Sequence, residues 1–375
     1  MSDPSAPDRE PMADAGAAPY PRISVALCTH NGAEFLAAQL RSILGQTHPV
    51  DEIVLSDDAS IDGTVALVAD GIAAHARRAV RVPSLVVIEN EPALGVVRNF
   101  EQALLRCTGD VIALCDQDDV WHEDRMARVM AAFAEHPELL LVHSDARLIR
   151  ADGLPFGAGL AATQRMSPHE RHSLSTNRGW DVLVRRSLVT GATVVIRRGL
   201  LDRAVPFVDS WVHDEWLAIM AAATGGTHFL DEQLLDYRQH ARNQIGVVRR
   251  GFSARLARLF TPRGERNERL VGRAIDLLNR VTELHRAAVN RRSPDARLLA
   301  KAVKDARAKL AHERVRILLP AVRILRVGPV FAEALTGRYE RYGRGVQDIA
   351  RDLLQKAGGV RETTPLPAAL SARRD

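Results

Sequence analysis

The apolar run Val111-Ile112-Ala113-Leu114-Cys115, ending directly in Asp116-Gln117-Asp118-Asp119, most constrains what this chain can fold into. Five consecutive apolar residues followed by a polar break fit a short buried strand. Three carboxylates at its end cannot all enter the core, because an unpaired buried charge shifts its pKa or brings in a counter-ion. A divalent cation is a natural partner. Hard cations such as Mg²⁺ are held by one or two carboxylates together with phosphate oxygens, so the cluster points to chemistry on a diphosphate-containing substrate. A solvated acidic turn is the plainer alternative.

The preceding sequence repeats the pattern of strand, polar end and helix. Ile23 to Cys28 reads as a buried strand, and the segment from Ala33 to Leu44 puts Phe35, Leu36, Leu40, Ile43 and Leu44 on one helical face. Ile53-Val54-Leu55 is a second strand ending in Ser56-Asp57-Asp58, and Asp62-Gly63-Thr64 leads into a helix around Val65 to Ala76. Leu85 to Ile88 forms a third strand before Glu89-Asn90, and a helix from about Val97 to Arg106 precedes the acidic strand. Such alternation predicts an α/β fold whose mainly parallel sheet carries its ligand crevice at the carboxyl ends of the strands. Thr29-His30-Asn31, Ser56-Asp57-Asp58 and Asp116 to Asp119 should therefore converge on one crevice edge. Further strands are expected at Leu139 to His143 and Thr190 to Ile196, with the Gly-rich segment 151–180 between them as a lid or acceptor-site element.

With 375 residues the chain has room for about two units. No stretch reaches the roughly 18 apolar residues of a membrane span, and the start lacks a basic then apolar signal segment, so a cytoplasmic protein, soluble or peripheral, is expected. Cys28, Cys107 and Cys115 are odd in number and widely spaced, which argues against a disulfide framework or a zinc site. Residues 1–250 carry 24 Lys and Arg against 33 Asp and Glu, a balance of −9, whereas residues 251–375 carry 27 against 13, a balance of +14. The expected division is a disordered segment at 1–20, a catalytic unit at 21–250, a basic helical extension at 251–355 and a disordered tail at 356–375. In the extension, Leu270, Val271, Ile275, Leu278, Val281 and Leu284 should share one helical face, with further helices near 295–319 and 330–355. The segments 254–260 and 314–326 are basic and apolar together, which suits an anionic bilayer as well as packing onto the catalytic unit.

Thr29-His30-Asn31-Gly32, Ser56-Asp57-Asp58-Ala59-Ser60 with Asp62-Gly63-Thr64, Asn99, Asp116-Gln117-Asp118-Asp119-Val120-Trp121 and His213-Asp214-Glu215-Trp216 together resemble the inverting family 2 glycosyltransferases. The match covers about residues 22–245. It implies a GT-A fold, a nucleotide-diphosphate sugar donor, and Mg²⁺ or Mn²⁺ as cofactor. By the same resemblance Thr29, Asn31 and Asp57 would hold the base or ribose, with Asp58 supporting them. Asp116 would lie by the donor ribose or diphosphate, Asp118 would be the chief metal ligand, and Asp119 would flank it. His213-Asp214 resembles the acceptor-side position, with Asp214 as the catalytic base and Trp216 beside it. A base near the acceptor hydroxyl and a neutralised leaving diphosphate are what direct, inverting displacement requires. Asp214 also reads as a first-turn helix acid before Trp216-Leu217-Ala218.

Tyr237-Arg238-Gln239-His240 with Asn243 resembles the end of the family domain, where His240 would approach the metal or diphosphate; a loop hydrogen bond is the alternative. Thr190-Gly191-Ala192 resembles the acceptor-side turn, in which Gly191 allows close backbone approach. Arg98 would contact phosphate or stand on an exposed helix face. The wording Asp-Gln-Asp-Asp-Val-Trp with Ser-Asp-Asp-Ala-Ser is similar to rhamnosyltransferases of surface-polysaccharide assembly, which implies dTDP-L-rhamnose as donor. A glycan or lipid-linked glycan acceptor is expected with it, and the basic extension would bring the enzyme to that acceptor at the inner face of the cell membrane. Competing readings are a non-catalytic nucleotide-sugar-binding regulator and a haloacid-dehalogenase-type phosphatase. The phosphatase would need a downstream cation for phosphate, and the first lysine is Lys301. A nucleic-acid binder is not expected, because the basic segment lacks an aromatic platform.

Overall fold

The computed structural model describes residues 21–240 and 264–355. The expected tails at 1–20 and 356–375, the boundary near Gly251, the basic segment 254–260 and Asn243 lie outside the described residues.

Eight strands form one mixed sheet: β1 (Ile23–Thr29), β2 (Glu52–Asp57), β3 (Ser84–Glu89), β4 (Val111–Cys115), β5 (Val120–Trp121), β6 (Leu141–Arg150), β7 (Val194–Arg197) and β8 (Thr227–Gln239). Their order is β3-β2-β1-β4-β7-β6-β8-β5. The first four are parallel, as the alternation predicts, whereas β7 runs antiparallel to both β4 and β6. Nine helices belong to the same span: α1 (Ala33–Leu44), α2 (Thr64–Ala76), α3 (Val96–Arg106), α4 (Arg125–Glu135), α5 (Leu160–Thr163), α6 (Pro168–Ser175), α7 (Gly179–Leu183), α8 (Leu201–Ala204) and α9 (His213–Thr224). Five more follow among the described residues: α10 (Gly264–Asn290), α11 (Ala296–Ile317), α12 (Val327–Leu335), α13 (Arg338–Tyr342) and α14 (Val346–Leu354).

The continuous apolar strands serve two cores because successive side chains point to opposite faces. Val25 and Leu27 of β1 and Val111, Ala113 and Cys115 of β4 join a core that includes Leu36, Leu40 and Phe133. Ala26, Cys28, Ile112 and Leu114 enter the opposite core with Phe100, Trp211 and Trp216. All three cysteines are free and buried.

Three local expectations shift. Strand β6 runs on to Arg150 because the polar residues His143, Ser144 and Asp145, which mask it in sequence, are buried and pair with β8. Gly191–Thr193 is a 3₁₀ turn, so only Val194–Arg197 is strand. Segment 151–180 contains α5, α6 and the start of α7, packed through the buried Leu160, Ala161, Leu174 and Trp180. Helix α6 starts with a capping box in which Ser167 and Glu170 satisfy each other's backbone amides.

Helices α10 and α11 continue the second core, to which they contribute Leu277, Val281, Ala302, Val303 and Ala306. Trp180 Nε1 donates to Asp305 Oδ2 at 2.9 Å and Trp211 Nε1 to the Arg273 carbonyl at 3.1 Å. The buried line of α10 is Asn267, Ala274, Leu277, Val281 and Ala288, so the expected face is rotated and most of its residues are half-buried flanks. Among the described residues no helix is long and apolar enough to cross a membrane.

Candidate functional site

Strand register brings the polar clusters to one edge. Thr29 lies opposite Asp57, Asp57 opposite Glu89, and Leu27 opposite Cys115, so β1, β2 and β4 end side by side. Beyond these ends opens a cleft of about 520 Å³ whose walls include Thr29, Asn31, Asp58, Asn99, Asp116, Asp118, Gly191, His213, Asp214 and His240. Asp57, Asp119, Arg98 and Trp216 do not line it.

The nucleotide end is a rigid polar lattice. Thr29 Oγ1 donates to Asp57 Oδ1 at 2.6 Å, and Asp57 also accepts from the Ser60 amide and hydroxyl. Asn31 sits in the left-handed region at φ 49°, which asparagine tolerates better than most side chains. Its amide donates to Ser60 Oγ at 2.7 Å and its Oδ1 accepts from Ile61 N at 3.0 Å. Asp58 accepts from the amides of Leu94 and Gly95, at 2.6 and 2.9 Å. Asn99 accepts from Ser56 Oγ and donates to the Ser56 carbonyl, tying α3 to β2. Asp57 thus stands behind the cleft wall as a support for Thr29 and the 57–60 turn.

The acidic turn is held from two sides. His240 Nε2 and Asp118 Oδ2 are 2.7 Å apart, although 122 residues separate them in sequence. Asp119 accepts from the Arg238 amide at 2.9 Å through Oδ1, while its buried Oδ2 has no hydrogen-bond partner. Burial, then the charge of Asp118, pushes the Asp119 carboxyl well up; burial, Asp118 and Asp214 push Asp116 up. Among the described residues no three acidic, His or Cys side chains converge tightly enough to cage a metal alone. The donor set nevertheless fits an ion shared with a diphosphate. Asp118 and His240 provide a carboxylate and an imidazole at one point of the cleft, beside Asp119, whose Oδ2 has no hydrogen-bond partner.

The opposite wall is the first turn of α9. Asp214 Oδ2 accepts from the Gly191 amide at 2.8 Å and Oδ1 from Glu215 N at 2.7 Å. Burial, opposed by these amides, raises its carboxyl to about 6. His213 stacks on Phe100 with ring centroids 4.0 Å apart, and burial lowers it to about 3, so the ring is neutral.

Two expected contacts fall outside the cleft. Arg98 is tied to Glu101 and Asp209, each at 2.6 Å, and to the Phe207 carbonyl, so its guanidinium locks α3 onto the 207–209 loop. Trp216 is wholly buried and donates its indole N–H to the Ala204 carbonyl at 2.7 Å. It is a core residue two positions beyond Asp214.

Four contributors escaped the sequence reading. Arg125 is fully buried, 4.1 Å from the Trp121 ring centre, and donates to the Ala192 carbonyl at 2.9 Å. Burial lowers it to about 10 against the opposing charges of Cys115, Asp119 and Asp116, making it a buried cation beside the acidic turn. Its signal was a lone arginine among Met126, Val129 and Phe133 on the apolar face of α4. Gln117 joins the acidic turn to the β1 end by accepting from His30 N at 2.8 Å. The Phe35 ring lies against His240 at a tilt, with centroids 4.9 Å apart, and Gln164 donates to Thr190 Oγ1 at 3.0 Å. Lys301, the first lysine, pairs with Asp181 and does not line the cleft.

Residues 24–155 match the family model described as glycosyl transferase family 2. An uncharacterized protein of Mycobacterium tuberculosis (strain ATCC 25618 / H37Rv) is 27% identical over 224 residues, covering 58% of this chain and 59% of that relative. The putative teichuronic acid biosynthesis glycosyltransferase TuaG of Bacillus subtilis (strain 168) is 25% identical over 178 residues, covering 48% of this chain and 63% of its own length. The chain therefore spans less than two thirds of either relative. TarS 1–349 of S. aureus, solved in complex with UDP-GlcNAc, superposes with a TM-score of 0.51 at 15% identity, covering 88% of this chain and 90% of that one. That likeness bears on the fold, which is of the GT-A kind.

Proposed function

The chain carries a family 2 glycosyltransferase domain, and on that premise we propose that it transfers a sugar from a nucleoside-diphosphate donor to a hydroxyl of a glycan or lipid-linked glycan, with inversion, in cell-surface polysaccharide synthesis. One observation carries the reading: Asp118 with His240 and Asp214 with Gly191 line a single cleft, so a charge-neutralising point and a carboxylate base face the same space. TuaG is named for teichuronic acid biosynthesis and the TarS structure holds UDP-GlcNAc, which supports the polymer setting and the donor class. The rhamnosyltransferase wording of the acidic turn supports dTDP-L-rhamnose as the donor to test first.

In this mechanism Thr29, Asn31 and Asp58, supported by Asp57 and Asn99, bind the nucleoside. Asp118 and His240 would hold Mg²⁺ or Mn²⁺ with the donor diphosphate, and the ion supplies neutralisation of the leaving group's charge. Asp214 takes the proton of the acceptor hydroxyl as that oxygen attacks the anomeric carbon. Both of its oxygens already accept backbone N–H bonds, which fix its plane and leave further lone pairs for the acceptor. His213, neutral and wedged against Phe100, keeps the first turn of α9 in place without adding positive charge.

The test is transfer from a panel of nucleotide sugars by the purified full chain, with Mg²⁺, Mn²⁺ or chelator, read by nucleoside-diphosphate release and product anomer. Inverted product that disappears in chelator supports the reading. Donor binding with neither transfer nor hydrolysis under any of these conditions would favour a regulator.

A further inference from the structure

Helix α12 and the 3₁₀ turn before it, Arg323–Arg326, have their amphipathic sense reversed. Of the three charged side chains in 321–335, Arg326 and Glu333 are buried and Arg323 is exposed. Glu333 Oε1 pairs with the buried His312 at 2.8 Å, and Arg326 donates to the carbonyls of Asp352 and Gln355. The outward side is apolar: Leu318 is 79% exposed, Ile324 74%, Leu325 61%, Phe331 65% and Leu335 75%. A helix facing water turns its polar residues outward, and exposed apolar residues are ordinarily scattered singly. Charges directed inward beneath a run of outward apolar side chains indicate that this side meets something other than water.

We infer that Leu318, Ile324, Leu325, Phe331 and Leu335 form a docking face for an anionic lipid bilayer, with α12 lying in the headgroup boundary. Charge complementarity selects this occupant: between 314 and 344, Arg323, Arg341 and Arg344 are exposed and Arg314 and Arg338 half-buried, against Glu340 as the exposed acid, while Arg316, Arg326 and Glu333 are buried. Arg323, exposed within the apolar run, can reach lipid phosphates while its neighbours enter the acyl boundary. A second copy would present the same arginine excess and be repelled by it. The stretch is interrupted by Pro320 and Pro329 and is too short to span, which fits an interfacial position. This face is drawn from residues 318–335. The inference goes beyond the transfer reaction and is read without donor or acceptor, so either can fail alone.

The test is co-sedimentation of the full chain with vesicles of phosphatidylcholine containing phosphatidylglycerol, or of phosphatidylcholine alone, at low and high salt. The expected result is binding to the anionic vesicles, reduced by salt. The double substitution Phe331→Asp, Leu335→Asp should lower the partition coefficient at least about tenfold, since it removes two large side chains from the inserted face. Phe331→Trp tests the same face without introducing charge: its added emission should shift to the blue on anionic vesicles and be quenched by brominated acyl chains. No vesicle binding, equal binding by the double variant, or a tryptophan at position 331 that stays in water overturns the inference. A dimer that the double variant dissociates, without vesicle binding by the wild type, would assign the face to a second copy and overturn it too.

Discussion

The amide of Gly191 donates to Asp214 Oδ2 at 2.8 Å, joining the turn before β7 to the first turn of α9 across 23 residues of chain. This bond sets the carboxylate proposed as the catalytic base by backbone geometry, which side-chain motion does not blur. Together with the Glu215 amide it keeps a buried carboxyl ionisable near neutrality, in the range a general base requires.

Asp214→Asn should keep donor affinity and lose transfer by about a hundredfold or more, because a general base contributes mainly in the transition state. Calorimetry with the donor and a transfer assay on the same sample separate the two. A parallel loss of donor binding and turnover would make Asp214 a donor-site or structural residue.

The pH profile follows from the same carboxyl. Its value of about 6 means that the ionised base is present above that pH, so kcat/KM should climb through about 6 and then level off. The stability effect has the opposite direction. The folded-state value lies above the ordinary carboxylate range, so the stabilising contribution is full below about pH 4 and is lost as pH rises through about 6. Relative to Asp214→Asn, wild type should therefore lose melting temperature across that interval. A difference independent of pH would contradict the burial of this group.

Gly191→Ala probes the turn directly. A Cβ there would stand 3.0 Å from His213 Nε2 and 3.5 Å from Asp214 Cβ, so one side must give way. The expected outcome is a roughly tenfold to hundredfold fall in kcat, as expected for a displaced catalytic group, with donor binding retained. Gly199→Ala, where an added Cβ meets nothing within 4 Å, is the control that should leave activity unchanged.

Most of the cleft was legible because parallel strands put their carboxyl ends together, and the apolar runs marked those ends. Thr29, Asp58 and Asp116 follow directly from that rule. Burial in depth was not legible: Asp57 and Asp119 read the same in sequence as Asp58 and Asp118, yet they stand behind the wall. Trp216 was misplaced because a residue two positions from Asp214 on a helix points to a different face, here the core. Strand β6 was cut short because its buried polar residues break the apolar run. The outward apolar face of α12 was missed because a helical period shows which residues share a face and not which face meets water.

Asp118→Asn and His240→Ala test the pairing at the acidic turn. Each should abolish the metal-dependent part of the thermal stabilisation produced by a nucleoside diphosphate with Mn²⁺, and Asp118→Asn should remove most turnover. Full stabilisation in either variant would sink its assignment as a ligand; for Asp118, turnover undiminished in excess chelator would do the same.

Arg125→Met tests the cation that sequence reading overlooked. The guanidinium is wholly buried, lies over Trp121 and opposes the negative charge of Asp116 and Asp119. Removing one partner of a buried charge set typically costs about 3–5 kcal/mol, because the remaining charge is left uncompensated. Denaturant unfolding at neutral pH should show a loss of that order. Burial already pushes the two carboxyls up, so acidification neutralises them and the cost of losing Arg125 should shrink as pH falls. Arg125→Lys, which keeps the charge without the planar fork, should recover part of the stability and little of the hydrogen bond to Ala192. A loss that is the same at every pH would mean that Arg125 serves the packing against Trp121 and not the charge of the acidic turn.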